Sequence, residues 1–258
     1  MTSLKPLIMV RFPMTVIYIY QDYVHNNGGL YNTLSLRYGK ENVRFIDADE
    51  LKNGALTSRI NAFIMPGGAS RYVSDKLNGA GNQAIRDYVA QGGLYIGICA
   101  GAYYGCRRTE WQPGFDQRFL VDNELGFFPG TASGPVMAFA SPDNPHHMAA
   151  ITPIETHDGQ RHAVLYWAGP VFEDVTAEVE VLARYASLPD QPAAVIAGHF
   201  HQGRYLLCSP HLELNSHQIN LMTFDVPDNR FEEFEILADR DQIMSHDYFF
   251  SLLDRFIR

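Results

Sequence analysis

Cys99, His211 and Glu213 carry the three side chains that an acyl-transfer centre needs: a thiol to attack, an imidazole to move its proton and a carboxylate to orient the imidazole. Cys99 sits in LYIGICAGAYYG, residues 94–105, where a short apolar run breaks into Gly97-Ile98-Cys99-Ala100-Gly101. That pattern reads as a buried strand turning sharply into a helix with the cysteine at the apex, because small residues leave room for the chain to reverse. A thiol there meets the first turn of a helix, where unpaired amides and the helix dipole favour the thiolate. A lone cysteine is more commonly buried and inert, so its partners decide the matter. His211 and Glu213 stand in Cys208-Ser209-Pro210-His211-Leu212-Glu213, two residues apart and on one side of an extended chain. A carboxylate on one ring nitrogen fixes the tautomer and leaves the other nitrogen facing the thiol. The oxyanion that such an attack creates needs N–H donors, and the backbone of Ala100 with that of Gly67 or Gly68 supplies them.

Those residues must be placed by the elements around them. TVIYIY at residues 15–20 reads as a first buried strand, followed by a loop through Asn26-Asn27-Gly28-Gly29 and a helix toward Tyr38. Val43 to Ile46 and Ala62 to Met65 are further strands, the latter ending at Pro66-Gly67-Gly68. Residues 79–91 have helical apolar spacing and stop at Gly92-Gly93, and Leu94 to Ile98 is the strand that leads into the elbow. Strands alternating with helices predict an α/β fold with a doubly wound, mostly parallel sheet of flavodoxin-like type. Catalytic loops of such sheets lie outside the carboxyl ends of the strands, so Pro66-Gly67-Gly68 and Cys99 are expected to meet.

Residues 109–160 lose this rhythm and read as a loop-rich insertion. Alternating stretches at Ala163 to Trp167, Glu178 to Tyr185 and Ala193 to Ala197 predict an antiparallel extension, and YLLCS a further strand. Residues 241–258 predict a closing amphipathic helix. The whole chain, residues 1–258, is read as one domain.

Composition bounds the function. The net charge of -9 argues against a nucleic-acid surface, and three cysteines do not make a disulfide framework. The amino-terminal stretch lacks a signal-peptide core, and no apolar run reaches the roughly 20 residues of a membrane span. The expectation is a cytoplasmic protein without membrane or nucleic-acid partners, able to form a homodimer.

The ordered set MPGGAS, LNGAGNQAIRDYVAQGG, GICAGAYYG, NELGFFPGTASGP, LYWAGPVF and GRYLLCSPHLE resembles the class I glutamine amidotransferase-like superfamily. Within it, the chain is most similar to the amino-terminal domain family of biotin–protein ligases, in its free-standing bacterial form. The resemblance implies Cys99 as nucleophile, His211 as base, Glu213 as orienting acid and Gly68 with Ala100 as oxyanion donors. It implies a small-molecule amide as substrate and no cofactor. Leu212 stands where the superfamily usually has proline, and nothing in the chain resembles the ligase's own biotin-activating domain, so ligase activity is not expected.

Tyr103, Tyr104, Arg71, Glu124 and Trp167 fall beside the expected active-site loops and are candidate walls of a substrate cleft. Cys106 is expected two turns along the helix from Cys99, and with Cys208 reads as packing rather than a redox partner. His199-x-His201, read on a strand, presents both rings to one side, but like His146-His147 it lacks a cysteine or carboxylate at metal-ligand spacing, so no metal site is expected. Three functions are compatible with the residues: a cysteine-dependent amidohydrolase or amidotransferase, a catalytically silent binding module, and a stress protein of the DJ-1 type. In the last group a histidine often follows the cysteine, whereas here Ala100 does.

Overall fold

The computed structural model describes residues 15–22, 27–68, 70–113, 118–140, 148–215 and 243–257, with the side chain of Arg71 outside that description. Among the described residues thirteen strands form one sheet, whose main path runs β2-β1-β3-β4-β13-β12-β10-β7-β5-β6. In chain order the first elements are β1 (Ile17–Tyr20), α1 (Gly28–Tyr38), β2 (Val43–Ile46), α2 (Ala48–Lys52), β3 (Ala62–Met65), α3 (Ser70–Leu77), α4 (Ala80–Ala90) and β4 (Leu94–Ile98). There follow α5 (Ala100–Gly105), β5 (Cys106–Trp111), β6 (Phe119–Asp122), β7 (Phe128–Gly134), β8 (Ala149–Thr156) and β9 (Arg161–Trp167). The last are β10 (Val171–Glu173), β11 (Glu180–Tyr185), β12 (Ala193–Phe200), β13 (Gly203–Cys208) and α6 (His246–Phe256).

The half of the sheet that carries the candidate site, β2-β1-β3-β4-β13, is parallel throughout, in the order of a flavodoxin-like doubly wound fold. Its central strands β3 and β4 are apolar and buried on both faces because helices cover both, whereas the outer β2 exposes Arg44 and Phe45. Alternate residues Ile17, Ile19, Ile64, Ile96 and Leu206 pack with Leu34 of α1 and with Phe249, Leu252 and Leu253 of α6. The intervening Phe63, Met65, Tyr95 and Leu207 pack with Ile85 and Val89 of α4 and with Tyr103 of α5. The period of two along each strand thus separates two cores in a three-layer molecule.

Beyond β13 the sheet turns antiparallel, through β12, β10, β11, β8 and β9, with β5–β7 as a further parallel pair. Residues 109–160 thus contribute strands to this extension as well as loops. Two local expectations need correction. The helix after Cys99 is short and ends at Gly105, so Cys106 opens β5 instead of lying two turns along α5. His201 lies in the turn after β12 with φ 53°, so it does not share a strand face with His199. Residues 1–14 and His146-His147 are outside the described residues. No helix among the described residues is long and apolar enough to cross a membrane.

Candidate active site at the carboxyl ends of β3, β4 and β13

Cys99 is the residue between β4 and α5, with φ 49° and ψ -105°. A side chain at that backbone conformation is strained by about 1–3 kcal/mol, which persists only where the surroundings enforce it. Here they do. The Cys99 amide donates to the carbonyl of Cys208 at 2.9 Å, Gly101 N–H donates to Pro66 at 3.1 Å, and the Cys99 carbonyl accepts from Ala102 and Tyr103. Gly101 is required by that approach, since a Cβ there would fall 1.9 Å from the Met65 carbonyl oxygen. Among the described residues these bonds occupy the amides of Cys99, Gly101, Ala102 and Tyr103 and leave that of Ala100 without a recorded acceptor.

The second half of the site follows β13. His211 N–H donates to the Leu165 carbonyl at 2.8 Å, a single bridge to β9 that sets the direction of the loop. Nδ1 of His211 lies 2.7 Å from Oε1 of Glu213, with both side chains more than nine-tenths buried. Leu212, in place of the usual proline, is fully buried, and the turn still brings the two side chains together. Burial opposes a charge on His211, but the Glu213 charge and hydrogen bonds to Cys99 and Glu213 outweigh it and raise the imidazole to about 10.

Gly67 joins the halves. A Cβ on it would lie 2.7 Å from Cε1 of His211 and 3.5 Å from Cβ of Cys99, so the loop after β3 touches both, and only a glycine leaves that space open. Gly68 follows with φ 148°.

Two further supports complete the site, the first of them without a sequence signal. Glu213 is held through its carbonyl, which accepts from Thr33 Oγ1 of α1 at 3.1 Å and from Nε2 of His246, the first residue of α6, at 2.7 Å. That Nε2 carries the ring proton, because a carbonyl only accepts; Nδ1 then accepts from Asn215 at 3.2 Å. The other support is the segment after β9. Cys99 Sγ donates to the Trp167 carbonyl at 3.2 Å, and the segment is tied down by Tyr103 O–H to Ala168 at 3.1 Å and Tyr166 O–H to Gly169 at 2.9 Å.

The candidate wall residues divide. The Trp167 ring stands 6.3 Å from the His211 ring, partly exposed beside the site. Tyr103 is buried and braces the Ala168 carbonyl, so it shapes the site from behind rather than lining it. Tyr104 and Glu124 join in a buttress of α4: Tyr104 O–H donates to Asn82, whose amide donates to Glu124 Oε2, and the same oxygen accepts from Gly79 N–H. These bonds also lower the Glu124 carboxyl. Arg71 opens α3, and its side chain lies outside the described residues. Cys106 and Cys208 are buried free thiols, both raised by burial, and Glu213 adds to the effect on Cys208. Among the described residues no group of three His, Cys, Asp or Glu gathers as metal ligands.

The fold is that of a class I glutamine amidotransferase-like protein. It aligns with a glutamine amidotransferase crystal structure at TM-score 0.56, 20% identity, over 80% of this chain and 95% of that one. It also aligns with PurLQS from Thermotoga maritima at TM-score 0.55, 14% identity, over 78% and 88%. Within that class the chain belongs to the family described as "Biotin-protein ligase, N terminal", which matches residues 21–253. An uncharacterized protein of Chlamydia muridarum is 38% identical over 154 residues, 58% of this chain and 59% of that one. The biotin–protein ligase of Schizosaccharomyces pombe is 28% identical over 187 residues, 67% of this chain but 29% of the ligase. The chain thus aligns with less than two thirds of either relative's length.

Proposed function

We propose that the chain is a cysteine-dependent amidohydrolase or amidotransferase-like enzyme acting on a small carboxamide. The observation that carries this reading is the meeting of a strained Cys99 elbow and a buried His211–Glu213 pair around Gly67, with the Ala100 amide bonded to no acceptor among the described residues. His211 takes the Cys99 proton before the attack and holds it as an imidazolium beside the sulfur anion; Sγ then bonds to the amide carbon while the carbonyl electrons move onto oxygen. The Ala100 N–H and that of Gly67 or Gly68 hold that oxyanion. As it collapses, the C–N bond breaks and His211 returns the proton to the departing nitrogen, leaving a thioester on Cys99. Water then gives a proton to His211 and its oxygen attacks the thioester; C–S cleavage releases the acid, leaves the electron pair on Cys99 Sγ and the proton on His211, and so restores the starting pair. Glu213 holds the ring orientation throughout. The ligase activity of the S. pombe protein belongs to that protein and is not carried over.

One observation favours a second reading, a binding module that does not turn over. Cys99 is 8% exposed and its thiol is engaged by the Trp167 carbonyl, so an attacking sulfur requires that segment to yield. A panel of carboxamides and small peptides, followed by ammonia release and by intact mass, separates the two. The enzyme reading expects ammonia from at least one amide and an acyl adduct, both lost in Cys99→Ala. Tight binding of an amide with neither signal establishes the module.

A further inference from the structure

Among the described residues the sheet ends at β6, whose four residues are all exposed, although three of them are Phe119, Leu120 and Val121 at 48%, 54% and 41%. An edge strand offers a row of unpaired backbone groups, and natural edges are usually defended by charge or proline in the strand itself. Here the apolar run is bare and the charges stand at its two ends, Arg118 before it and Asp122 at its close.

We propose that two copies of this chain pair through β6 as an antiparallel, two-fold symmetric ladder centred on Leu120. On an edge strand only alternate residues point their N–H and C=O outward. A strand pairing with its own copy must match outward residues to outward residues, so the two-fold axis passes through a residue position. Centred on Leu120, the register sets Arg118 opposite Asp122 of the other copy, Leu120 opposite itself, and Phe119 opposite Val121. Centring on Phe119 or Val121 loses the charge match. Residues opposite one another share a face, so one face of the joint reads Arg118 to Asp122, Leu120 to Leu120 and Asp122 to Arg118, complementary in both directions.

The neighbouring strand extends the match. Arg108 stands opposite Asp122 in β5 and Glu110 opposite Leu120. Arg108 bonds Asp122 at 3.2 Å and Arg118 bonds Glu110 at 3.3 Å. Pairing two copies therefore joins Glu110, Arg118, Asp122 and Arg108 into one line of alternating sign on that face. On the other face the copies' Phe119 and Val121 meet beside Trp111, which already stacks on Phe119 at 6.3 Å.

The test is sedimentation of the whole chain with variants at these exposed positions, whose folding is checked by circular dichroism. Wild type is expected to associate to a dimer and Leu120→Lys to sediment as a monomer. Arg118→Asp and Asp122→Arg chains each place like charges opposite and are expected to associate about tenfold more weakly than wild type, or worse. Mixed together they are oppositely charged at both positions and are expected to associate again. Oxidation is expected to cross-link Leu120→Cys, which faces its own copy, but not Asp122→Cys, whose copy lies four residues along, roughly 13 Å away. A wild type that stays monomeric, a dimer that survives Leu120→Lys, or mixed charge variants that fail to associate would overturn the proposal.

Discussion

Cys99 Sγ lies 3.2 Å from the carbonyl oxygen of Trp167, so the thiol donates its proton to a backbone group from a strand 68 residues away. A carbonyl oxygen accepts from a thiol and repels a thiolate. His211 and Trp167 therefore compete for the same sulfur, and the proposed attack by Cys99 requires the Trp167–Gly169 segment to shift.

Cys99 is expected to be the alkylated cysteine of the native chain. Cys106 and Cys208 have no exposed surface and their thiols are raised by burial, whereas Cys99 is next to an imidazole. Iodoacetamide near neutral pH, read by peptide mass, should label Cys99 at least about tenfold faster than either of the others. Equal, slow labelling of all three would remove the activated thiol from the account.

His211 is expected to keep its proton well above neutral pH. Its folded value near 10 lies above the ordinary 6.5, so proton binding favours the folded chain. That contribution is complete below about pH 6.5 and is lost as pH rises through about 10. In Glu213→Gln the Glu213 charge is gone, and burial, which lowers the imidazole, is left opposed chiefly by Cys99. Histidine NMR titration should show the variant's His211 titrating at lower pH than wild type, and urea unfolding should lose its alkaline decline. An unchanged titration would mean that Glu213 does not control the ring.

Gly67→Ala is expected to damage the site while sparing the fold. The new methyl falls 2.7 Å from Cε1 of His211 and 3.5 Å from Cβ of Cys99, so the ring must move. A displacement of about 1 Å in such a site costs on the order of 10²-fold in turnover. Ammonia release, or the alkylation rate of Cys99, should drop with the thermal midpoint little changed. Gly101→Ala, whose Cβ would meet the Met65 carbonyl oxygen at 1.9 Å, should instead destabilise the fold itself.

Cys99→Gly is expected to be more stable than Cys99→Ala by about 1 kcal/mol, contrary to the usual cost of glycine. Both remove the sulfur, but only glycine takes φ 49° with ψ -105° without strain. Denaturant titration of the two variants decides it, and alanine equal to or above glycine would show that the elbow stores no strain.

Much of the site was legible because its signals are local. Strand runs alternating with helical spacing determined the doubly wound sheet, since period two and period 3.6 are properties of neighbouring residues. Pro66-Gly67-Gly68, the Cys99 elbow and His211-x-Glu213 each stand at a strand end, and a parallel sheet brings such ends to one edge. The bonds that hold the site together are of another kind. Trp167 reaching Cys99, Thr33 and His246 clamping the Glu213 carbonyl, and Tyr104 joined to Glu124 through Asn82 each link residues far apart in sequence. No periodicity encodes them, because they depend on which strand lies beside which and on which helix covers which face. The early end of α5 at Gly105, where Cys106 enters the sheet beside Phe128, has the same origin. The amino-acid order by itself determined which thiol, imidazole and carboxylate stand at strand ends and the edge where they gather; the packing of distant segments decided which tyrosines brace the site, what covers the thiol and which apolar strand is left facing solvent.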